Sequence, residues 1–328
     1  MTERIREFLR TRREDGPCVV IDLDVVRENY HAFSRALPDT RVFYAVKANP
    51  APEVLGLLAK LGSCFDCASV VEIELALAAG ATADRISFGN TIKKERDVVR
   101  WPLSRKFGCV PEMAADVLEH GHRLGLAAYG ISFHVGSQQA NVNAWDSALA
   151  SASAVFKECA TRGLSLSMVN LGGGFPARYL KPIPGVPSYG DAIFQALSKH
   201  FGNQLPETII EPGRGMVGNA GLIETEVVLI SKKAKDDQVA WVYLDIGKFN
   251  GLAETMDEAI RYPIRSERDG DATVPCILAG PTCDSVDVMY EKTPYMLPFS
   301  LEIGDKLLIE GAGAYTTTYS AVAFNGFP

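Results

Sequence analysis

Short apolar runs alternate with amphipathic stretches through the first two thirds of the chain. Val42, Phe43, Tyr44, Ala45 and Val46 are all apolar and mostly β-branched or aromatic, the pattern of a buried strand. Lys47 stands at its C-terminal end, and Asn49-Pro50 stops it. Further strands are expected over 19–23, 65–69, 85–90, 130–136, 167–171 and 208–211. Helical periodicity falls over 24–36, 52–61, 71–79, 93–101, 111–124, 145–162 and 191–201, with Gly62 and Gly80 closing two of these helices. Strand and helix alternating in this way indicate βα units and a parallel sheet. After about 215–221 the texture changes to strands over 222–231, 239–246, 272–279 and 306–311 with few helices between. The expected division is an α/β unit over 25–220 and a β domain made of 1–24 and 221–328.

Composition narrows the function without naming it. With 328 residues, 47% hydrophobic and 22% charged, the chain has material for a substantial core. A formal net charge of −7 argues against a nucleic-acid partner. No apolar run approaches the ~20 residues of a membrane helix, so no membrane partner is expected. Residues 1–15 are rich in Arg and Glu and have no apolar stretch of the secretory kind. The seven cysteines are scattered and odd in number, which suits a reducing, cytoplasmic setting. Cys64 and Cys67 form a CxxC, but on an apolar strand and with no second pair, so they read as structural. His120 and His122 are too close in sequence to share a helix face, and no metal-ligand set emerges.

The chemistry lies at the ends of the expected strands. Active sites of α/β sheets form at the carboxyl ends of their strands. Those ends, in order, offer Lys47, Asp66, Asn90, His134 with Ser137, Gly172 to Gly174, and Glu211 with Arg214. A lone glycine turn or strand-end histidine is ordinary. A lysine, a histidine, carboxylates, a glycine turn and an arginine on one rim suit pyridoxal phosphate. That cofactor needs a lysine amine for a Schiff base. It needs backbone N–H groups and a cation such as Arg214 for its phosphate, and an acid such as Glu211 at its pyridine nitrogen. His134 suits stacking on the ring face.

The set resembles the fold-type III pyridoxal-phosphate decarboxylases, ornithine/lysine decarboxylase branch, in its bacterial short form. The matching residues are Tyr44-Ala45-Val46-Lys47-Ala48-Asn49, Phe65-Asp66-Cys67-Ala68-Ser69 and Phe133-His134-Val135-Gly136-Ser137. They continue with Gly172-Gly173-Gly174-Phe175, Glu211-Pro212-Gly213-Arg214, Gly280-Pro281-Thr282-Cys283-Asp284 and Gly313-Ala314-Tyr315-Thr316. They run in family order over nearly the whole chain. The resemblance implies an alanine-racemase-like (β/α)8 barrel with a C-terminal β-sandwich or barrel domain. It implies that Lys47 holds the cofactor, Glu211 pairs with the pyridinium, and His134 stacks on the ring. Ser137, Gly173, Gly174, Arg214 and Tyr315 would hold the phosphate, and Asp66 and Glu72 would support Lys47. Cys283 would protonate the substrate carbon after CO2 leaves and, in this family, is supplied across a homodimer interface. Asp245, Asp284 and Phe324 would form the substrate end.

Two carboxylates facing a distal ammonium fit a dibasic L-amino acid, ornithine giving putrescine or lysine giving cadaverine, in polyamine biosynthesis. The two differ by one methylene, worth only ~1–3 kcal/mol in an apolar pocket, so the sequence does not rank one above the other. Related readings are an arginine, diaminopimelate or carboxylated-polyamine decarboxylase, and a non-catalytic regulatory homologue.

One departure from the family stands out. Only six barrel strands are legible, and no apolar strand run lies between Asn90 and Gly130. The resemblance places two further strands and a helix just before Trp101, so the barrel is expected to be about two strands short. A segment absent at Arg100–Trp101, a deletion variant and a non-catalytic relative are the alternatives. The intact Lys47 and Cys283 favour an absent or deleted segment.

Overall fold

The computed structural model describes residues 1–90, 108–322 and 324–326. The helix expected over 93–101 and the junction at Arg100–Trp101 lie outside them. The chain divides into two compact units. One comprises Arg27–Pro176 and Ile183–Gly215; the other comprises Met1–Val26, Ala177–Pro182 and Met216–Pro328.

From the N-terminus, helix α1 (Glu3–Thr11) and strand β1 (Cys18–Ile21) lead into α2 (Leu23–Ala36). The α/β unit follows as β2 (Thr40–Ala45), α3 (Pro52–Leu61), β3 (Cys64–Cys67), α4 (Val70–Ala78) and β4 (Ile86–Phe88). It continues with α5 (Pro111–Arg123), β5 (Gly130–Ser132), α6 (Ala144–Thr161), β6 (Met168–Asn170), α7 (Val186–Phe201) and β7 (Glu207–Ile210). Among the described residues the sheet has six strands in the order β4-β3-β2-β7-β6-β5, every neighbouring pair parallel. These are the six strands legible in the sequence, and they form the parallel half-barrel of the expected fold. Parallel strands covered by helices must be apolar on both faces, which β2 shows: Val42, Phe43, Tyr44 and Ala45 are all buried.

Several strands end earlier than expected, and two of these ends place site residues. β2 stops at Ala45, and Val46–Ala48 forms a 3-10 turn, so Lys47 sits on that turn rather than on the strand. The Tyr44 hydroxyl donates to the Asn49 carbonyl at 2.9 Å and pins the turn from below. β5 stops at Ser132 instead of 136, opposite Asn170 where its partner β6 ends, and the backbone turns at Gly136 (φ +101°) and Gln138 (φ +53°). Hence His134 and Ser137 stand on a loop. Conversely α7 begins at Val186, with Pro187 in its first turn, where a missing N–H costs nothing.

Behind the Gly172–Gly174 turn lies an aromatic cluster. Phe175 stacks on Trp145 at 5.0 Å and meets Phe33 edge-on at 5.0 Å, and Tyr189 packs edge-on against Trp145. The Trp145 indole N–H donates to the Leu171 carbonyl at 3.1 Å. The glycine turn therefore rests on a rigid, buried platform.

The β unit begins again at α8 (Arg214–Val217), whose first two residues still belong to the α/β unit, and β8 (Gly221–Ser231). It runs on through β9 (Ala240–Leu244), β10 (Ile264–Ser266), β11 (Thr273–Ala279), β12 (Val288–Met289), β13 (Tyr295–Pro298) and β14 (Lys306–Glu310). Its sheet has the order β10-β14-β8-β9-β11-β12, with β1 on β8 and β13 on β11. The pairing of Val19 with Ile223 brings the N-terminal residues into this unit. α1, β10, β12 and β13 were not legible in the apolar pattern. α1 is charged over most of its length and buries only Ile5, while β10 and β12 have just three and two residues.

Candidate active site

The Lys47 side chain is about half exposed, and its Nζ lies 3.9 Å from Asp66 Oδ2. Asp66 is buried at the end of β3. Gly89 packs directly against it: a Cβ there would stand 2.1 Å from Asp66 Oδ1. Burial first, then the charge of Glu211, pushes the Asp66 carboxyl up to about 7; Lys47 opposes this and Glu72 adds to it. Glu72 itself is tied to α4, accepting from Ala68 N–H at 2.6 Å while its own N–H donates to the N-cap Ser69.

This raised value has a consequence for stability. Between the ordinary aspartate value of about 4 and about 7, the folded protein holds a proton that the unfolded chain has lost. The contribution is present below pH 4 and is lost as pH rises through 7. We expect the melting temperature of cofactor-free protein to fall across that window relative to Asp66→Asn. Parallel pH–melting curves for the two proteins would dismiss this account.

Glu211 follows β7. Its N–H donates to the Gly172 carbonyl at 2.8 Å, and its Oε1 accepts from the Asn170 amide at 2.5 Å. The three glycines of the turn are sterically required. A Cβ would stand 2.1 Å from the Phe133 oxygen at Gly172, 2.6 Å from the Glu211 oxygen at Gly173, and 2.3 Å from the Gly136 oxygen at Gly174. The same Gly173 Cβ would meet His134 Cε1 at 3.8 Å. His134 is exposed on one side, yet partial burial, with Lys47 adding and Glu211 opposing, holds its imidazole below the usual range. Lys47, Asp66, His134, Glu211 and the glycine turn thus act on one another electrostatically or by contact. Arg214, three residues past Glu211, is buried, and Ser137 is exposed on the loop that follows Gly136.

The remaining expected residues belong to the β unit. Cys283 is exposed; its N–H and thiol both meet Asn325 Oδ1, at 3.1 and 3.4 Å. Phe324 stacks on Phe249 with ring centres 4.4 Å apart. Asp284 Oδ1 accepts from Val286 N–H at 2.9 Å. Asp245 Oδ1 accepts from the Thr225 hydroxyl and from Glu226 N–H. Tyr315 adopts φ +59° and packs against Tyr319 at 5.3 Å.

Residues that no motif indicated hold the Cys283 loop. Asp287 is buried and accepts from Lys248 N–H at 2.7 Å, the Thr282 hydroxyl at 2.7 Å and Thr282 N–H at 3.2 Å. A Cβ on Gly247 or Gly280 would strike its carboxylate at 2.2–2.3 Å. No sequence signal marks Asp287, which stands between Val286 and Val288. Cys64 and Cys67 are buried on β3, and burial pushes the Cys67 thiol up to about 12, which removes it from redox or metal chemistry at neutral pH.

The residues fit pyridoxal phosphate. An amine is held beside a buried carboxylate, an imidazole stands next to the glycine turn, and a second carboxylate is anchored within the same group. Neighbouring backbone lies so close to the glycine turn that no side chain fits on it. No group of three or more metal-ligating side chains occurs among the described residues, nor does any described helix have the length and apolarity to cross a membrane.

Comparison with known proteins agrees. The family model described as "Pyridoxal-dependent decarboxylase, pyridoxal binding domain" matches residues 23–102 and 101–218. A lysine/ornithine decarboxylase of Selenomonas ruminantium is 35% identical over 359 aligned positions, covering 96% of this chain and 88% of that protein. The crystal structure of a Vibrio vulnificus lysine/ornithine decarboxylase complexed with cadaverine superposes with a TM-score of 0.88 at 30% identity, over 99% of this chain and 96% of that one. An antizyme inhibitor 2 of Xenopus laevis is 31% identical over 100% of this chain and 82% of its own length. The two family-model segments overlap at 101–102, beside the Arg100–Trp101 junction where a segment is expected to be absent. The Selenomonas alignment has 359 positions against a chain of 328 residues, so at least 31 positions have no counterpart here.

Proposed function

Because the chain belongs to the pyridoxal-dependent decarboxylases, in their lysine/ornithine branch, we propose that it decarboxylates a dibasic L-amino acid, ornithine or lysine or both. The observation that carries this is the assembly of Lys47, Asp66, His134, Glu211 and the Gly172–Gly174 turn at one end of the parallel sheet. Bound pyridoxal phosphate supplies the electron sink for the pair released when a Cα–carboxylate bond breaks.

The protein's own groups have distinct tasks. Lys47 presents an accessible amine. Glu211 offers a negative charge to the pyridine nitrogen. Gly173, Gly174, Ser137, Arg214 and Tyr315 receive the phosphate, and His134 covers the ring face. Asp66, with Glu72 behind it, sets the charge around Lys47. Cys283 delivers a proton to the substrate carbon from its thiol. Asp245 and Asp284 take the distal ammonium, and Phe324 packs on the aliphatic chain between. The protein works as a homodimer in the cytoplasm; its seven free thiols support the reducing setting.

The test is kcat/KM on ornithine, lysine, arginine and diaminopimelate side by side. Turnover confined to arginine or diaminopimelate would overturn the assignment. The shared site is tested by mixing Lys47→Ala and Cys283→Ala proteins. Half of the dimers are then mixed, and each regains one of two sites, so about a quarter of the activity should return. No recovery from folded, exchanging subunits would dismiss a site shared between them.

A second reading, a non-catalytic regulatory homologue, is favoured by the unmatched positions in the alignment and by the likeness to antizyme inhibitor 2. A colourless purified protein with no CO2 release from any of the four substrates would establish it over the first.

A further inference from the structure

Asn170 is the last residue of β6 and is almost fully buried. Its amide oxygen accepts from Gly172 N–H at 2.9 Å, and its amide nitrogen donates to Glu211 Oε1 at 2.5 Å. The orientation of the amide is forced, because a peptide N–H needs an acceptor and a carboxylate needs a donor. Glu211 N–H closes the ring by donating to the Gly172 carbonyl at 2.8 Å. Phe133 N–H donates to the Asn170 carbonyl at 3.1 Å, which ties the segment leading to His134 to the same residue. Three separate stretches of the rim therefore converge on one side chain and its own backbone.

A carboxylate on rotatable bonds samples several directions, and a charge-assisted bond to a buried amide fixes one of its oxygens. The same amide fixes the first N–H of the glycine turn. We propose that Asn170 is a positioning residue that registers Glu211 and the Gly172–Gly174 turn against each other, so that the pyridine nitrogen and the phosphate of one cofactor are met at the correct separation. This rests on the roles given above to Glu211 and the glycine turn.

Affinity measurements separate the two arms. Cofactor-free wild type, Asn170→Asp and Asn170→Ala are titrated by equilibrium dialysis at pH 8 with three compounds. These are pyridoxal phosphate, its analogue with CH in place of the pyridine nitrogen, and pyridoxal without the phosphate. The first pair reads the Glu211 arm and the outer pair reads the phosphate arm. Aspartate keeps the acceptor for Gly172 N–H but has no N–H for Glu211. In Asn170→Asp the preference for the ring nitrogen should fall about tenfold, the worth of a hydrogen bond to a charged group, while the preference for phosphate stays within about twofold. In Asn170→Ala both preferences should fall. If Asn170→Ala does not fold, Asn170→Asp decides alone. Unchanged preferences, even with a lowered melting temperature, would reduce Asn170 to structural support and overturn the proposal. A wild type that binds the nitrogen and CH compounds equally would instead refute the role of Glu211, a failure visible before any variant is made.

Discussion

Lys47→Ala should abolish the visible absorbance of the cofactor-bound protein and lower decarboxylation by at least about 10³-fold, as loss of a nucleophile does elsewhere. Lys47→Arg separates charge from nucleophilicity. It retains a cation near Asp66, so the same loss of band and turnover in both variants assigns the effect to the amine. Stability should hardly change in either. The Lys47 side chain is about half exposed, and its contact with Asp66 is 3.9 Å long, so the pair contributes little. Nor does the alanine variant bury an unpaired charge, because Lys47 is the group that lowers the raised Asp66 value. Without it the carboxyl stays protonated. A Lys47→Ala protein that kept its band and its turnover would end the assignment.

The second large effect is expected at Gly174. Its φ is +96°, and a Cβ there would stand 2.3 Å from the Gly136 oxygen and 3.3 Å from Val135 Cγ2. Backbone strain and overpacking together cost ~2–5 kcal/mol, which corresponds to a drop of roughly 5–15 °C in melting temperature. Relief is possible only by moving the Gly172–Gly174 turn away from the 133–136 segment. Affinity for pyridoxal phosphate should therefore fall at least about tenfold in Gly174→Ala, even where the protein remains folded. Gly125→Ala is the control: its φ is also positive, at +83°, but nothing lies within 4 Å of the added Cβ. It should cost only about 1 kcal/mol and leave cofactor binding alone. Equal behaviour of the two variants would show that the turn is not shaped by this close approach.

These two residues mark what a linear reading reaches. The Lys47 and Gly174 motifs are local, and their residue types carry their chemistry: an amine at the end of an apolar run, and three glycines where backbone must approach backbone. The six parallel strands were legible for the same reason. The run at β2 is uninterrupted and buried on both faces, and α3, α4, α6 and α7 follow β2, β3, β5 and β6 with clear period. The turn at Lys47 was not legible, because an apolar run does not distinguish a strand from the 3-10 turn that Tyr44 pins to Asn49.

Other features depend on partners far apart in sequence. Asn170 and Glu211 are 41 residues apart, and the Lys248 N–H meets Asp287 across 39. Asparagine and aspartate have no signature of burial; they are usually exposed, and they become interior only when specific donors and acceptors surround them. Only the folded chain reveals those surroundings. The same holds for Asp66, whose carboxyl is pushed up by burial and by Glu211, a neighbour 145 residues away. By itself the sequence determined which groups are available at the ends of the strands, because covalent identity and local periodicity are written residue by residue. The tertiary structure decided which of those groups are held, and by what, because positioning is a property of contacts that close only when distant segments meet.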